Sequence, residues 1–140
     1  MRKKNGFTLF ELLVSISIIA ILTAVVSISY SVAQKKARDA KRMQDLEMIQ
    51  KAAEQYYSLN SYSYPDSYEA GTAWTVDDNT VLENYPTDPK GVEYVSGSSD
   101  STAYCICGDL EEDKGNSSTN ACSFLGVDGD GDYYCVKSQQ

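Results

Sequence analysis

The sequence contains no histidine, which removes the usual general base at neutral pH and the usual second member of a nucleophilic triad. Proline is scarce: there are three, and none precedes Pro65, so no imide ring interrupts a helix in the N-terminal part. Cysteine is absent until Cys105, after which Cys105, Cys107, Cys122 and Cys135 fall close together. Basic residues nearly run out after Lys51. Only Lys90, Lys114 and Lys137 follow, against fifteen carboxylates from Asp66 to Asp132, which leaves the C-terminal portion at −12. A surface of that sign repels nucleic-acid phosphates. With no paired-carboxylate motif to stand in for histidine, no catalytic residue can be nominated and no enzyme is expected. At 140 residues the chain has room for one small domain.

What is present is concentrated at the N-terminus. Arg2, Lys3 and Lys4 precede a run from Phe7 to Ala33 whose one formal charge is Glu11. The 22 uncharged residues from Leu12 to Ala33 are enough for a helix to cross a bilayer, which takes about 20 mostly apolar residues. The positive-inside rule alone does not place the N-terminus in the cytoplasm, because Lys35, Lys36, Arg38, Lys41 and Arg42 outnumber the leading bases. An even set of cysteines in a short polar segment favours an exported, oxidised C-terminal body. A plain membrane anchor gives the same hydropathy, and a cleaved secretory signal ending at Ser31-Val32-Ala33 gives the same basic start. Neither accounts for Glu11. A carboxylate in an apolar run costs about 2.5 kcal/mol or more near the bilayer centre, less near its edge, and marks a site with a partner to be found.

Gly6-Phe7-Thr8-Leu9-Phe10-Glu11, after a short basic leader and before an apolar run, resembles the class III signal of type IV pilins and of the pseudopilins of type II secretion. That resemblance implies cleavage between Gly6 and Phe7 by a prepilin peptidase and N-methylation of the new Phe7 amine. It also implies that Glu11 pairs with the Phe7 amine of a neighbouring subunit during assembly. The physics agrees, since an ammonium relieves an unpaired carboxylate in low dielectric and can set register between otherwise slippery apolar helices. Many family members carry a proline where Ile28 stands here. The patch Thr23, Val25, Val26, Ser27, Ile28 and Ser29 has only modest helix propensity instead.

Beyond Ala33, Ala37, Ala40, Met43, Leu46, Ile49, Ala53 and Tyr56 recur at three- and four-residue steps, the stripe of an amphipathic helix. Asp39 with Arg42, and Glu47 with Lys51, read as ordinary pairs on its solvated face. The basic cluster from Lys35 to Arg42 is expected to meet lipid head groups or, preferably, the acidic heads of neighbouring subunits. One helix from Phe7 to about Leu59 would be roughly 80 Å long, with Asn60 as its C-cap and Pro65 preventing resumption. Asp66 to Lys90 reads as a long loop with a helical turn near Val81 to Asn84. Tyr85-Pro86-Thr87-Asp88-Pro89 is similar to a turn of pseudopilins and some pilins. Strands are predicted at Val92–Ser96, Thr102–Cys107 and Tyr133–Lys137.

In a strand, Cys105 and Cys107 share a face about 6 to 7 Å apart along the chain, poor geometry for bridging each other. Two connectivities remain open: Cys105 with Cys122 and Cys107 with Cys135, or Cys105 with Cys135 and Cys107 with Cys122. A four-cysteine zinc site is the rival, disfavoured by the CxC spacing and the export signal. Asp128-Gly129-Asp130-Gly131-Asp132 spaces carboxylates as calcium loops begin, making Asp128, Asp130 and Asp132 candidate Ca2+ ligands; a solvated turn explains the same residues.

The expectation is an α+β protein of the type IV pilin fold, a long N-terminal helix on a small antiparallel sheet. Residues 1–6 form the leader, 7–33 a transmembrane and filament-core helix, 34–59 its amphipathic half, and 60–140 the loop and disulfide-containing head. The function read from it is a pilin: an inner-membrane precursor, N-terminus inside, that polymerises with other copies into an extracellular filament. Its partners would be the prepilin peptidase and the assembly machinery. The alternatives are a major pseudopilin, or a secreted or anchored calcium-dependent binding module. The cysteines point to a pilus and the proline-rich turn to a pseudopilus.

Overall fold

The computed structural model describes residues 6–119 and 131–140. Among these residues are one helix, α1 (Leu9–Leu59), a two-stranded sheet of β1 (Trp74–Val76) and β2 (Asn79–Leu82), and a three-stranded sheet of β3 (Val95–Asp100), β4 (Ala103–Asp109) and β5 (Tyr133–Lys137). The chain divides into two units, Met1–Gln34 and Lys35–Gln140. The architecture is α+β and pilin-like: a long N-terminal apolar helix with small antiparallel sheets.

The helix begins where its sequence can close it. Thr8 accepts the Glu11 amide at Oγ1 over 3.2 Å, and Glu11 Oε2 accepts the Thr8 amide over 2.9 Å, the reciprocal capping box of a T-x-x-E start. Its end is a Schellman turn. The Tyr62 amide donates to Tyr57 O at 3.1 Å, Ser61 holds φ 52°, and the Tyr57 and Tyr62 rings meet at 5.6 Å, the apolar contact that accompanies this motif. Asn60 is the last residue before that turn, and the left-handed conformation expected of it falls on Ser61 and Tyr62 instead.

In the second unit, Leu46, Ile49, Ala52 and Ala53 of α1 pack with Tyr64, Tyr68, Trp74, Leu82, Tyr85, Tyr94, Tyr104, Ile106 and Val136 in one core. The middle strand β4 is buried on both faces. Tyr104 and Ile106 face that core, while Cys105 and Cys107 form a second cluster with Cys135 on the opposite face, as the two-residue period of a strand requires. A Cβ at Gly108 would lie 3.1 Å from Leu46 Cδ1, so the absent side chain is what lets β4 approach the helix.

The order β3-β4-β5 is antiparallel throughout, and β5 has the predicted bounds. Strand β3 starts at Val95 instead of Val92, which is exposed before it. The loop and helical turn expected between Asp66 and Lys90 are corrected. Val81 and Leu82 lie in β2 of a hairpin whose turn is Asp77-Asp78, with Val76 opposite Asn79 and Asp77 at φ 51°. Aspartate tolerates that conformation. Trp74 and Val76 point inward and Thr75 outward, an alternation that the polar flanks conceal in sequence.

Cys107 and Cys135 are register partners across β4 and β5, with Cα atoms 4.1 Å apart and a disulfide between them. Cys105 is also disulfide-bonded, and Cys122 lies outside the described residues. Peptide mapping without reduction should therefore recover Cys107 joined to Cys135 and Cys105 joined to Cys122; a Cys105–Cys135 peptide would contradict the register. Cys107→Ser with Cys135→Ser should lower unfolding stability by about 2 to 4 kcal/mol, in line with the loss of one bridge, read by denaturant titration.

Candidate functional site

Two sites come from different parts of the chain. The first is the N-terminal segment. Gly6, Phe7 and Thr8 precede the helix, and Phe7 is 88% exposed. Glu11 Oε2 also accepts the Thr8 hydroxyl at 2.8 Å, so its carboxylate carries two local donors on one oxygen. Thr8 was not singled out as functional in the sequence, although the T-x-x-E spacing was there to be read.

On either side of Glu11 the helix presents exposed apolar side chains, Leu9 and Phe10 before it and Leu12, Leu13, Ile16 and Ile18 after it among them. Three of its hydroxyls turn back on the backbone. Ser15 Oγ donates to Glu11 O at 2.7 Å, Ser17 Oγ to Leu13 O at 2.8 Å and Thr23 Oγ1 to Ile19 O at 2.9 Å. These bonds satisfy the hydroxyl protons, so the polar groups do not oppose an apolar environment. Glu11 stands as the one charge in an otherwise compatible surface. The helix is long and apolar enough to cross a membrane.

The second site lies in the head and corrects the expectation of a solvated charged face. Asp39, Arg42 and Asp45 are buried, while Ala37 and Ala40 of the predicted stripe are exposed. The buried stripe continues upward from Leu46 through charges instead of alanines. The Arg42 side chain, 4% exposed, ion-pairs with Asp39 at 2.7 Å, Glu111 at 3.0 Å and Asp88. Arg38 holds Glu111 through Nε and Nη2, each at 2.7 Å, and Lys90 reaches the same carboxylate at 2.8 Å. Asp39 accepts the amides of Glu111, Glu112 and Asp113 at 2.9, 2.8 and 3.1 Å. Asp45 takes Lys41 at 2.6 Å and the Tyr94 hydroxyl at 3.1 Å.

This network staples the 88–90 turn and the 111–113 segment onto α1. It also alters the expected role of the basic cluster. Lys35 pairs with Glu112 at 2.6 Å, and Arg38, Lys41 and Arg42 have the partners just given; only Lys36 is loosely held, 3.9 Å from Asp113. Most of that positive charge is neutralised inside the subunit, so it is not free to meet a neighbour's acidic head.

Hydrogen bonds from Arg38 and then Lys90 hold the Glu111 carboxyl well below its ordinary value of 4.5. Burial pushes Asp39 upward, but the amides of Glu111, Asp113 and Glu112 together with Arg42 outweigh it and keep its carboxyl below 3.8. A lowered folded-state pKa contributes stability that is present above the unfolded value and lost as pH falls through the folded one. The head should therefore be stable at neutral pH and weaken as acid takes the solution below about pH 4. Glu111→Gln should flatten that acid limb in thermal melts across pH, and an unchanged limb would remove Glu111 from it.

Among the calcium candidates, Asp128 and Asp130 lie outside the described residues. Asp132 is exposed, and its carbonyl accepts the Leu110 amide at 2.7 Å. Among the described residues no group of three or more Cys, Asp or Glu side chains is arranged to hold a metal ion.

Residues 1–27 match the model described as the prokaryotic N-terminal methylation motif, the class III signal peptide of type IV pilins and pseudopilins. That stretch includes Gly6, Phe7, Thr8 and Glu11. No curated protein and no solved structure matches the chain.

Proposed function

We propose that the chain is a pilin, a structural subunit that polymerises through its N-terminal helix into a type IV pilus. The observation that carries this reading is the methylation motif at residues 1–27 running directly into a helix whose large apolar side chains are uncovered. A membrane would cover such a surface in the precursor, and packed copies of the same helix would cover it in a filament. On this reading the prepilin peptidase cuts between Gly6 and Phe7, and the new Phe7 amine is methylated. The Glu11 carboxylate, already carrying Thr8 donors on Oε2, keeps Oε1 to receive the Phe7 ammonium of the next subunit. The precursor lies in the cytoplasmic membrane with its N-terminus inside, and the acidic head faces outward. Its role is architectural and not catalytic.

The pseudopilus is the neighbouring possibility, and the buried Cys107–Cys135 bridge favours the pilus because it suits a head that persists in an oxidising exterior. The test is electron microscopy of material sheared from cells expressing the chain with a prepilin peptidase and an assembly system. Long filaments containing this subunit are expected; a subunit found only in the membrane fraction counts against the reading.

A further inference from the structure

The head core is built from phenols where hydrocarbon rings would pack at lower cost. The chain has 11 tyrosines and 3 phenylalanines, and the phenylalanines are Phe7, Phe10 and Phe124, so none of the described core residues is phenylalanine. Tyr68 and Tyr85 have buried hydroxyls with no partner among the described residues, each carrying a desolvation penalty that phenylalanine would avoid. The rings also form a connected path. Trp74 lies 5.2 Å from Tyr68, Tyr68 5.8 Å from Tyr104, Tyr104 4.9 Å from Tyr64, Tyr64 4.4 Å from Tyr57 and Tyr57 5.6 Å from Tyr62. Trp74 is buried, whereas Tyr62 is 75% exposed and held at φ 62°. The path therefore runs from the core to solvent.

We propose that this path is a one-electron relay that carries oxidising equivalents from Trp74 to the surface at Tyr62, sparing the core of an extracellular protein from radical damage. The proton acceptors sort the rings into roles. The Trp74 indole N–H donates to Ser67 O at 3.0 Å, a carbonyl that cannot take the proton, so loss of an electron to a one-electron oxidant such as an oxygen radical leaves an indole radical cation. Tyr68 has no acceptor among the described residues to deprotonate it and serves as a stepping ring, which a benzene ring is too hard to oxidise to do. Tyr64 donates to Glu54 Oε1 and Oε2 at 3.0 and 3.1 Å, closer than Tyr104, whose hydroxyl reaches Glu54 Oε1 at 3.4 Å. Oxidation of Tyr64 therefore returns an electron to Trp74 and passes the phenol proton to Glu54, leaving a neutral tyrosyl radical. An electron from Tyr62, through Tyr57, then restores Tyr64 as Glu54 gives the proton back; Tyr62 releases its own proton to water. A solution reductant such as ascorbate returns an electron and a proton to Tyr62.

The chain has one tryptophan, so laser photoionisation at the red edge of its absorption starts the relay at Trp74 in the full-length protein in detergent. The tryptophanyl signal should decay into a tyrosyl signal at a rate independent of protein concentration. Glu54→Gln keeps every ring but removes the base, and should slow that step about 100-fold, the low end of what a positioned base contributes. Tyr62→Phe, at an exposed position, should leave the first step unchanged and lengthen severalfold the tyrosyl lifetime in ascorbate. A decay that scales with concentration, a Glu54→Gln rate equal to that of the parent, or an ascorbate lifetime unmoved by Tyr62→Phe would each overturn the relay.

Discussion

Glu11→Gln subunits should be inserted in the membrane as well as the parent yet be recovered in filaments at least about tenfold less. Removing the charge makes membrane insertion easier, because the carboxylate is what the apolar phase resists. On the proposed reading the same change removes the acceptor for a neighbour's Phe7 ammonium and leaves that ammonium unpaired as the helix is buried. A pair that relieves a cost of about 2.5 kcal/mol is worth more than a factor of ten, since each 1.4 kcal/mol is tenfold. Thr8→Val separates the two duties of Glu11. It removes the cap of α1, at about 0.5 to 2 kcal/mol of helix stability, but leaves the carboxylate free to pair between subunits. Its filament yield should fall far less than that of Glu11→Gln. Equal losses in the two variants would mean that helix capping alone is what assembly needs from Glu11. Immunoblots of sheared and membrane fractions measure both.

Arg42→Met should destabilise the head by about 3 to 5 kcal/mol, the range for breaking a buried charge pair by removing one partner. The methionine fills the space of the aliphatic stem but leaves Asp39, Asp88 and Glu111 facing one another without their common cation. Arg38→Met is the informative control. Glu111 then still has Arg42 and Lys90, and Arg38 is more exposed, so the loss should be clearly smaller. Arg42→Lys should rescue little, because one ammonium cannot direct hydrogen bonds to three carboxylates along the separate directions a guanidinium provides. Urea titrations of the three variants against the parent give the ranking, and an Arg42→Met midpoint near that of Arg38→Met would contradict a shared buried cation.

The parts of this molecule that could be read from sequence were those whose signal is local or repeats at a short period. The long apolar run with Glu11, the helix ending near Leu59, and the strand at Tyr133–Lys137 follow from composition, periodicity and punctuation within a few residues. The hairpin Trp74–Leu82 was hidden because its inward positions, Trp74 and Val76 in β1 and Leu82 in β2, are diluted by Asp77, Asp78 and Asn79, which read as loop before the turn they make is recognised. The charged core was hidden for another reason. Asp39, Arg42 and Asp45 occupy the helical spacing of a buried stripe, but a burial rule for charges demands partners, and those partners, Asp88 and Glu111, stand 46 and 69 residues after Arg42. Nothing in the helix itself could announce them. The capping role of Thr8 was legible in the T-x-x-E spacing of Thr8 and Glu11. The disulfide register needed the pairing of β4 with β5, which spacing alone left open between two connectivities.

The most direct test of the account is the intact mass and N-terminal sequence of the mature protein recovered from cells that carry a prepilin peptidase. A chain that starts at Phe7 with a methylated amine is expected. A chain starting at Gln34 would mean a secretory signal and a soluble head, and an uncut Met1 in material from the cell surface would mean a plain anchor; either would contradict a subunit assembled through Phe7 and Glu11.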